Sequence, residues 1–116
     1  MLRFGAVLAT VSMLSFPARS QTLSFGMGAT SCANWKLNDY NDYAGKTWIL
    51  GFWSGLNAAA DTASFVGIDT DAPAILAEIA LICSNSPSMK LQDAIIAHYS
   101  RVRVGEGPKA RQLPSR

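Results

Sequence analysis

The sequence feature that most limits the possible fold is an apolar run from Trp48 to Ala60, WILGFWSGLNAAA. Gly51, Gly55 and Ala59 repeat at four-residue spacing, which on a helix forms a smooth stripe where another backbone can approach closely. The large side chains beside this stripe are Trp48, Ile49, Phe52, Trp53 and Leu56. Only a narrow polar strip interrupts the apolar surface: Ser54, Asn57 and Asp61. The pattern therefore predicts a central helix that packs among other helices.

The same helix is too short to be a membrane span. It has about thirteen residues, whereas a transmembrane helix needs about 18 or more. Residues 1–20 contain an early charge at Arg3, an apolar core from about Ala6 to Phe16, and small residues up to Ser20. This order is typical of a secretory signal peptide, with cleavage after Ser20. An N-terminal membrane anchor is the alternative, which the short apolar core disfavours. We therefore expect a periplasmic or secreted protein with no stable membrane insertion after signal removal.

The charge balance of the processed chain argues against nucleic-acid binding. Removal of residues 1–20 takes away Arg3 and Arg19, so the ten basic residues of the full chain become eight and match the eight acidic residues. A nucleic-acid-binding domain needs a basic face rich in Arg and Lys, and this chain has no such stripe.

Cys32 and Cys83 are the only two cysteines of the chain. In an exported protein an even pair usually forms a disulfide, which here closes a loop of about fifty residues. Such a loop stabilises the fold by roughly 4 kcal/mol in the chain-entropy model. Two reduced, buried thiols are the alternative. A zinc site is disfavoured because His98 is the only histidine.

The residues around Cys32 predict short elements. Residues 21–31 are rich in Gly, Ser and Thr and predict an extended arm or a loose end left after cleavage. Thr30 or Ser31 can cap a short helix that begins at Cys32. Residues 38–45, NDYNDYAG, predict a turn, because Asn and Asp side chains bond to their own backbone. Their spacing lacks the glycine and distal glutamate of a calcium loop, so no metal site is expected.

Two more helices follow a connector at residues 63–70 that turns at Gly67. An N-cap at Asp69, Thr70 or Asp71, with Pro73 in the first turn, starts a helix. Its single apolar face consists of Ile75, Leu76, Ile79, Ile82 and Cys83. The break at Ser84 to Pro87 ends it. A last helix from Pro87 or Ser88 has a core stripe of Leu91, Ala94, Ile95, His98 and Val102, beside Ile96 and Tyr99.

We expect no enzyme and no cofactor. His98 lies on an apolar helix face, where a lone histidine is more often structural than catalytic. No glycine has the strand and helix context of a phosphate loop. The candidate core or partner-surface aromatics are Trp35, Trp48, Phe52 and Trp53. Aromatics at helical spacing are usually core, and those left exposed commonly anchor interfaces.

The segment from Cys32 to Val102 resembles the HdeA/HdeB-type periplasmic acid-stress chaperones, which are small exported helical proteins. The shared features are Cys32, Trp48-Ile49-Leu50, an aspartate-initiated helix from Asp71 to Cys83, Asn85-Ser86-Pro87, and Leu91-Gln92-Asp93-Ala94. The segment from Leu50 to Gly55 also resembles the Rap/Tai-type immunity proteins. Both resemblances imply a role through protein contacts, and neither carries catalytic residues.

Together these features predict an all-α domain at residues 32–104, a small bundle of about four helices stapled by one disulfide, with a disordered tail at residues 105–116. In a chaperone role, acid removes the carboxylate charges and leaves about nine positive charges, so self-repulsion loosens the packing while the disulfide holds. Apolar side chains such as Trp48, Phe52 and Trp53 then bind unfolded clients. In an immunity role, the folded chain binds and inhibits one secreted toxin.

Overall fold

A computed structural model describes residues 23–60 and 66–106 of the protein. Within these ranges there are four α-helices and one short 3₁₀ helix, and no β-strand. The 3₁₀ helix is Gly26–Ala29, and the α-helices are α1 (Cys32–Trp35), α2 (Asp39–Ala59), α3 (Ala72–Asn85) and α4 (Leu91–Glu106). The disulfide between Cys32 and Cys83 joins α1 to α3, with 5.1 Å between the Cα atoms. The predicted all-α bundle of about four helices with one disulfide is thus confirmed.

Parts of the predicted organisation lie outside the described residues. These are the signal peptide, residues 21–22 of the predicted arm, residues 63–65 of the connector and residues 107–116 of the predicted tail. Gly105 and Glu106, which the sequence places in the tail, belong to the last turn of α4. The predicted arm contains the 3₁₀ helix Gly26–Ala29 rather than extended backbone throughout, and Ser31 forms an isolated antiparallel bridge with Lys90.

Helix α2 begins at Asp39, so the prediction of a turn at residues 38–45 is wrong. The Asn38 side chain accepts a hydrogen bond of 2.8 Å from the backbone N–H of Asn41, which makes Asn38 the N-cap. Asp39 and Asp42 then lie in the first turn, where negative charge interacts favourably with the helix dipole. The polar residues that indicated a turn instead start the longest helix of the described chain.

Helix α3 begins as predicted. The Asp71 side chain accepts a hydrogen bond of 2.9 Å from the backbone N–H of Ala74, and a proline lies in the first turn. Helix α4 begins at Leu91, later than predicted, because residues 87–90 pair with the start of α1. The N–H of Cys32 donates to the carbonyl of Met89 at 2.7 Å, and the N–H of Leu91 donates to the carbonyl of Thr30 at 2.9 Å.

The hydrophobic core lies where α3 and α4 meet α1 and α2. Its fully buried side chains are Cys32, Trp35, Ile49, Ile79, Leu91 and Ile95. The predicted faces of α3 and α4 are confirmed, since Ile75, Ile79 and Cys83 are buried on α3 and Leu91, Ala94, Ile95 and His98 are buried on α4. Burial of each large apolar side chain contributes about 1.5–3 kcal/mol, so these faces hold the helices together.

Candidate protein-binding surface

The predicted packing stripe of α2 faces solvent. Gly51, Gly55 and Ala59 are all exposed, and a Cβ atom built at Gly51 or Gly55 meets no atom within 4 Å. The helix buries the opposite side, where Ile49 and Trp53 lie. These two side chains remove far more apolar area from water than glycines do, so they decide which side turns inward. The prediction that another backbone packs on the stripe is therefore wrong for the described residues.

An uncharged strip runs along the exposed side of α2, and we call it the outer face of α2. Its residues are exposed and follow one another at spacings of three or four: Tyr40, Tyr43, Thr47, Gly51, Ser54 and Ala58. Tyr40 is 78% exposed and Tyr43 is 73% exposed. The last charged residue of α2 is Lys46. Exposed aromatic side chains beside flat, uncharged helix surface are typical of protein contact sites.

Two of the four candidate aromatics belong to the core. Trp35 is fully buried, and its indole N–H donates to the carbonyl of Asp42 at 3.2 Å. Trp53 is also buried, and its indole N–H donates to the carbonyl of Val66 at 2.9 Å. The edge of the Trp53 ring packs against Tyr99, with 4.9 Å between ring centroids. Both tryptophans therefore combine apolar burial with a satisfied donor.

The other two aromatics are half-buried beneath the N-terminal segment. Trp48 stacks on Phe52, with 4.8 Å between ring centroids and 17° between ring planes. The indole N–H of Trp48 donates to the carbonyl of Phe25 at 3.0 Å. A Cβ atom at Gly28 would overlap the Trp48 ring, so only glycine permits this approach. Phe25 itself is 78% exposed, which extends the apolar surface of this region.

The Asn57 side chain holds Val66, the first residue of the second described range, in place. Its amide group donates to the Val66 carbonyl at 3.1 Å, and its oxygen accepts from the Val66 N–H at 2.9 Å. The same oxygen accepts from the Tyr99 hydroxyl at 2.8 Å. In sequence Asn57 belongs to the narrow polar strip of α2, and this role leaves no local signal, because its partners are nine and 42 residues away.

The Glu106 side chain holds the turn at Gly67 in place. Its carboxylate accepts from the N–H of Gly67 at 3.0 and 3.1 Å, and from the N–H of Asp69 at 3.4 Å. Gly67 has a φ of 101°, a region that residues with a Cβ atom rarely adopt. The predicted turn at Gly67 is thus present, and the last residue of α4 holds it in place.

His98 packs in the core as the sequence analysis expected for a lone histidine on an apolar face. It is 8% exposed, and its ring centroid lies 5.6 Å from that of Trp53. Burial lowers its pKa, the charge of Glu78 opposes that shift, and the charge of Arg101 adds to it. The Trp53 ring is thus an aromatic neighbour of His98, and the Glu78 carboxylate is close enough to act on its charge.

A cleft lies between the C-terminal half of α2, the turn at Gly67 and the start of α3. Its volume is about 400 Å³. The apolar lining comes from Leu50, Trp53, Val66, Ile68 and Ile75, and Asp71 is the charged residue among the side chains that border it. The size lies within the range of about 300–1,000 Å³ that is usual for ligand sites.

One acidic residue at the start of α2, Asp42, forms two ion pairs. The Asp42 carboxylate lies 2.7 Å from Lys36 and 2.7 Å from Lys46. Hydrogen bonds from Lys36 first and Lys46 second lower the pKa of Asp42. In the described ranges, no three His, Cys, Asp or Glu side chains are placed to hold a metal ion.

Helix α2 has 21 residues, which is long enough to cross a membrane, but it is not apolar enough to do so. None of the helices in residues 23–60 and 66–106 has both the length and the apolar character needed to cross a bilayer.

Comparisons with protein-family models, with curated proteins and with solved structures find no match to this chain.

Proposed function

We propose that this is an exported, non-enzymatic protein that acts by binding other proteins. The observation that carries the proposal is the outer face of α2, which presents exposed tyrosines and then uncharged small residues on one long helix. Rigid helical surface with aromatic anchors suits protein contacts. The disulfide is compatible with an oxidising compartment, where such bonds persist. The surroundings of His98 support a structural rather than a catalytic role for that residue.

Within this class, we favour an HdeA/HdeB-like stress chaperone. Several contacts of the fold depend on ionised carboxylates, namely those of Asp42, Asp71 and Glu106. Strong acid protonates carboxylates and so weakens the contacts that hold the start of α2 and the turn at Gly67. Release of that turn would uncover Trp53, whose indole N–H is bonded to the Val66 carbonyl. The disulfide would keep the helices together meanwhile.

The pKa shifts of Asp42 and His98 both affect the stability of the fold in acid. The lowered pKa of Asp42 means that its ion pairs persist as the pH falls and are lost only as the pH passes the pKa in the folded state. Protonation of His98 affects the stability of the fold over a higher pH range than protonation of Asp42. Because burial lowers its pKa, the unfolded chain takes up a proton first, and stability decreases as the pH falls below about 6.5. Both effects favour opening in acid.

The experiment is an aggregation assay with an enzyme that unfolds and precipitates below pH 4. We expect the processed, disulfide-bonded protein to suppress precipitation at about pH 3 and to have little effect at pH 7. The variant Leu81→Ser is the control. Leu81 is 57% exposed on α3, so this substitution removes an exposed apolar side chain away from the turn and should leave the suppression of precipitation unchanged. Precipitation that is the same with and without the protein at pH 3 would rule out the chaperone role.

An immunity-type inhibitor of a secreted toxin is the second candidate. Tyr40 and Tyr43 favour it, because they are exposed while the fold is intact and need no acid to become available. Affinity capture from an envelope extract at pH 7 should then recover one stoichiometric partner. The pair Tyr40→Ser and Tyr43→Ser should abolish recovery, and Leu81→Ser should preserve it. Failure to recover a partner, or recovery that is indifferent to the tyrosines, would count against this role.

A further inference from the structure

We infer that the cleft beside Trp53 is a second contact site, which takes a segment of a partner protein with an apolar side chain next to a basic one. This inference rests on the proposed protein-binding role and names the chemistry of one partner. The cleft shares Ser54 with the outer face of α2, and the rest of it lies between α2, the turn at Gly67 and α3.

Three polar side chains that line the cleft, those of Trp53, Ser54 and Asn57, already form hydrogen bonds within the protein. The indole N–H of Trp53 donates to Val66, and the Ser54 hydroxyl donates to the carbonyl of Leu50 at 2.8 Å. Both sides of the Asn57 amide are engaged by Val66. An occupant therefore gains little from polar contacts with these side chains, and it gains mainly from burying an apolar side chain there.

The charge at the edge of the cleft determines which residues of the partner segment can stand next to that apolar side chain. Asp71 borders the cleft, and Asp69, two residues earlier, is also exposed. Within residues 23–60 and 66–106, neither carboxylate forms an ion pair and no basic side chain lines the cleft. A Lys or Arg beside the apolar residue would complement this rim, whereas an acidic neighbour would be repelled. A basic, apolar segment is thus the chemistry that fits.

The experiment uses the ¹⁵N-labelled processed protein at pH 7 and an acetylated, amidated peptide, Leu-Lys-Leu-Lys-Leu. We expect binding to shift the NMR signals of the Trp53 indole and of the Ile68 and Asp71 amides. The Trp35 indole and the Thr47 amide should not move, since they report on the core and on the outer face of α2. A peptide with Glu in place of Lys, and one with Ser in place of Leu, should each bind at least about fivefold more weakly.

Two matched double variants isolate the rim charge. Asp69→Asn with Asp71→Asn removes the carboxylate that borders the cleft and the one two residues before it, and asparagine remains a good helix cap at the second position. This variant should bind about fivefold more weakly. Asp39→Asn with Asp93→Asn changes the net charge equally at exposed positions outside the cleft and should leave the affinity unchanged. Equal weakening by both pairs would overturn the inference.

Three further outcomes also overturn it: shifts on the outer face of α2 instead of the cleft, equal binding of the Glu peptide, and binding that appears only after residues 107–116 are removed. The last result would assign the cleft to the chain's own C-terminal segment rather than to a partner. None of these results bears on client protection at pH 3 or on partner recovery through the tyrosines, so the two proposals fail separately.

Discussion

Two glycines of α2 differ in what surrounds their missing side chains. A Cβ atom at Gly45 would overlap the Cδ1 atom of Trp35, whereas one at Gly51 would meet nothing within 4 Å. Trp35 cannot move aside easily, because it is fully buried and its indole N–H is bonded. Gly45 is therefore needed for close packing against α1, although the sequence placed it in a turn.

Alanine substitution at these two positions should change stability in opposite directions. Gly51→Ala should raise the free energy of unfolding by about 0.5–1 kcal/mol, because alanine restricts the unfolded chain and favours helix. Gly45→Ala should lower it by about 1–3 kcal/mol, because the added methyl group forces Trp35 out of place. Urea unfolding followed by circular dichroism measures both. Two changes of the same sign would contradict this account of α2 packing.

At this scale the sequence identified which side chains are large and apolar, but not which of them are covered. Trp48 and Trp53 both follow the helical spacing, yet the first is half-buried and the second is buried. The difference depends on what packs over each ring, namely the N-terminal segment over Trp48 and residues of α4 against Trp53. Such partners are distant in sequence and leave no local pattern.

At the scale of elements, the contact between the end of α4 and the turn at Gly67 depends on one side chain, Glu106. The substitution Glu106→Gln removes the negative charge while keeping a side chain of the same shape. Hydrogen bonds to a charged acceptor are worth more than those to a neutral one. We therefore expect the Gly67 amide hydrogen to exchange with solvent about fivefold faster, with little change at Ile79 in the core.

Glu78→Gln provides the matched control for this measurement, because Glu78 is an exposed glutamate in the middle of α3. It should leave the exchange of the Gly67 amide unchanged. Unaltered exchange in Glu106→Gln, or equal acceleration in both variants, would show that the carboxylate does not hold the turn.

The first residue of a helix was predictable where one local signal dominated. Asp71 followed by a proline in the first turn marked the start of α3 correctly. The start of α2 was missed because Asn and Asp serve both in turns and as caps, and the two uses look alike in sequence. The start of α4 was set by backbone pairing of residues 87–90 with residues 30–33, which local propensity does not report.

At the scale of the whole molecule, two kinds of bond tie the start of the described chain to the α3–α4 hairpin. One is the disulfide, and the other is the backbone pairing of Cys32 and Ala33 with the carbonyls of Met89 and Pro87. The all-α architecture and the cysteine pairing were predictable, because helical periodicity and cysteine number are properties of the sequence itself. The outer face of α2 was not predictable, because exposure depends on every other helix.

The double substitution Cys32→Ala with Cys83→Ala separates the two kinds of bond. The disulfide spans 51 residues, and releasing a loop of that length should lower the free energy of unfolding by about 4 kcal/mol. The dependence of that free energy on urea should steepen, because the unfolded chain without the cross-link exposes more surface. Urea unfolding of the variant, and of the native protein with and without reductant, measures both quantities. A loss below about 1 kcal/mol would mean that backbone pairing and core packing hold α1 to α3 without the disulfide.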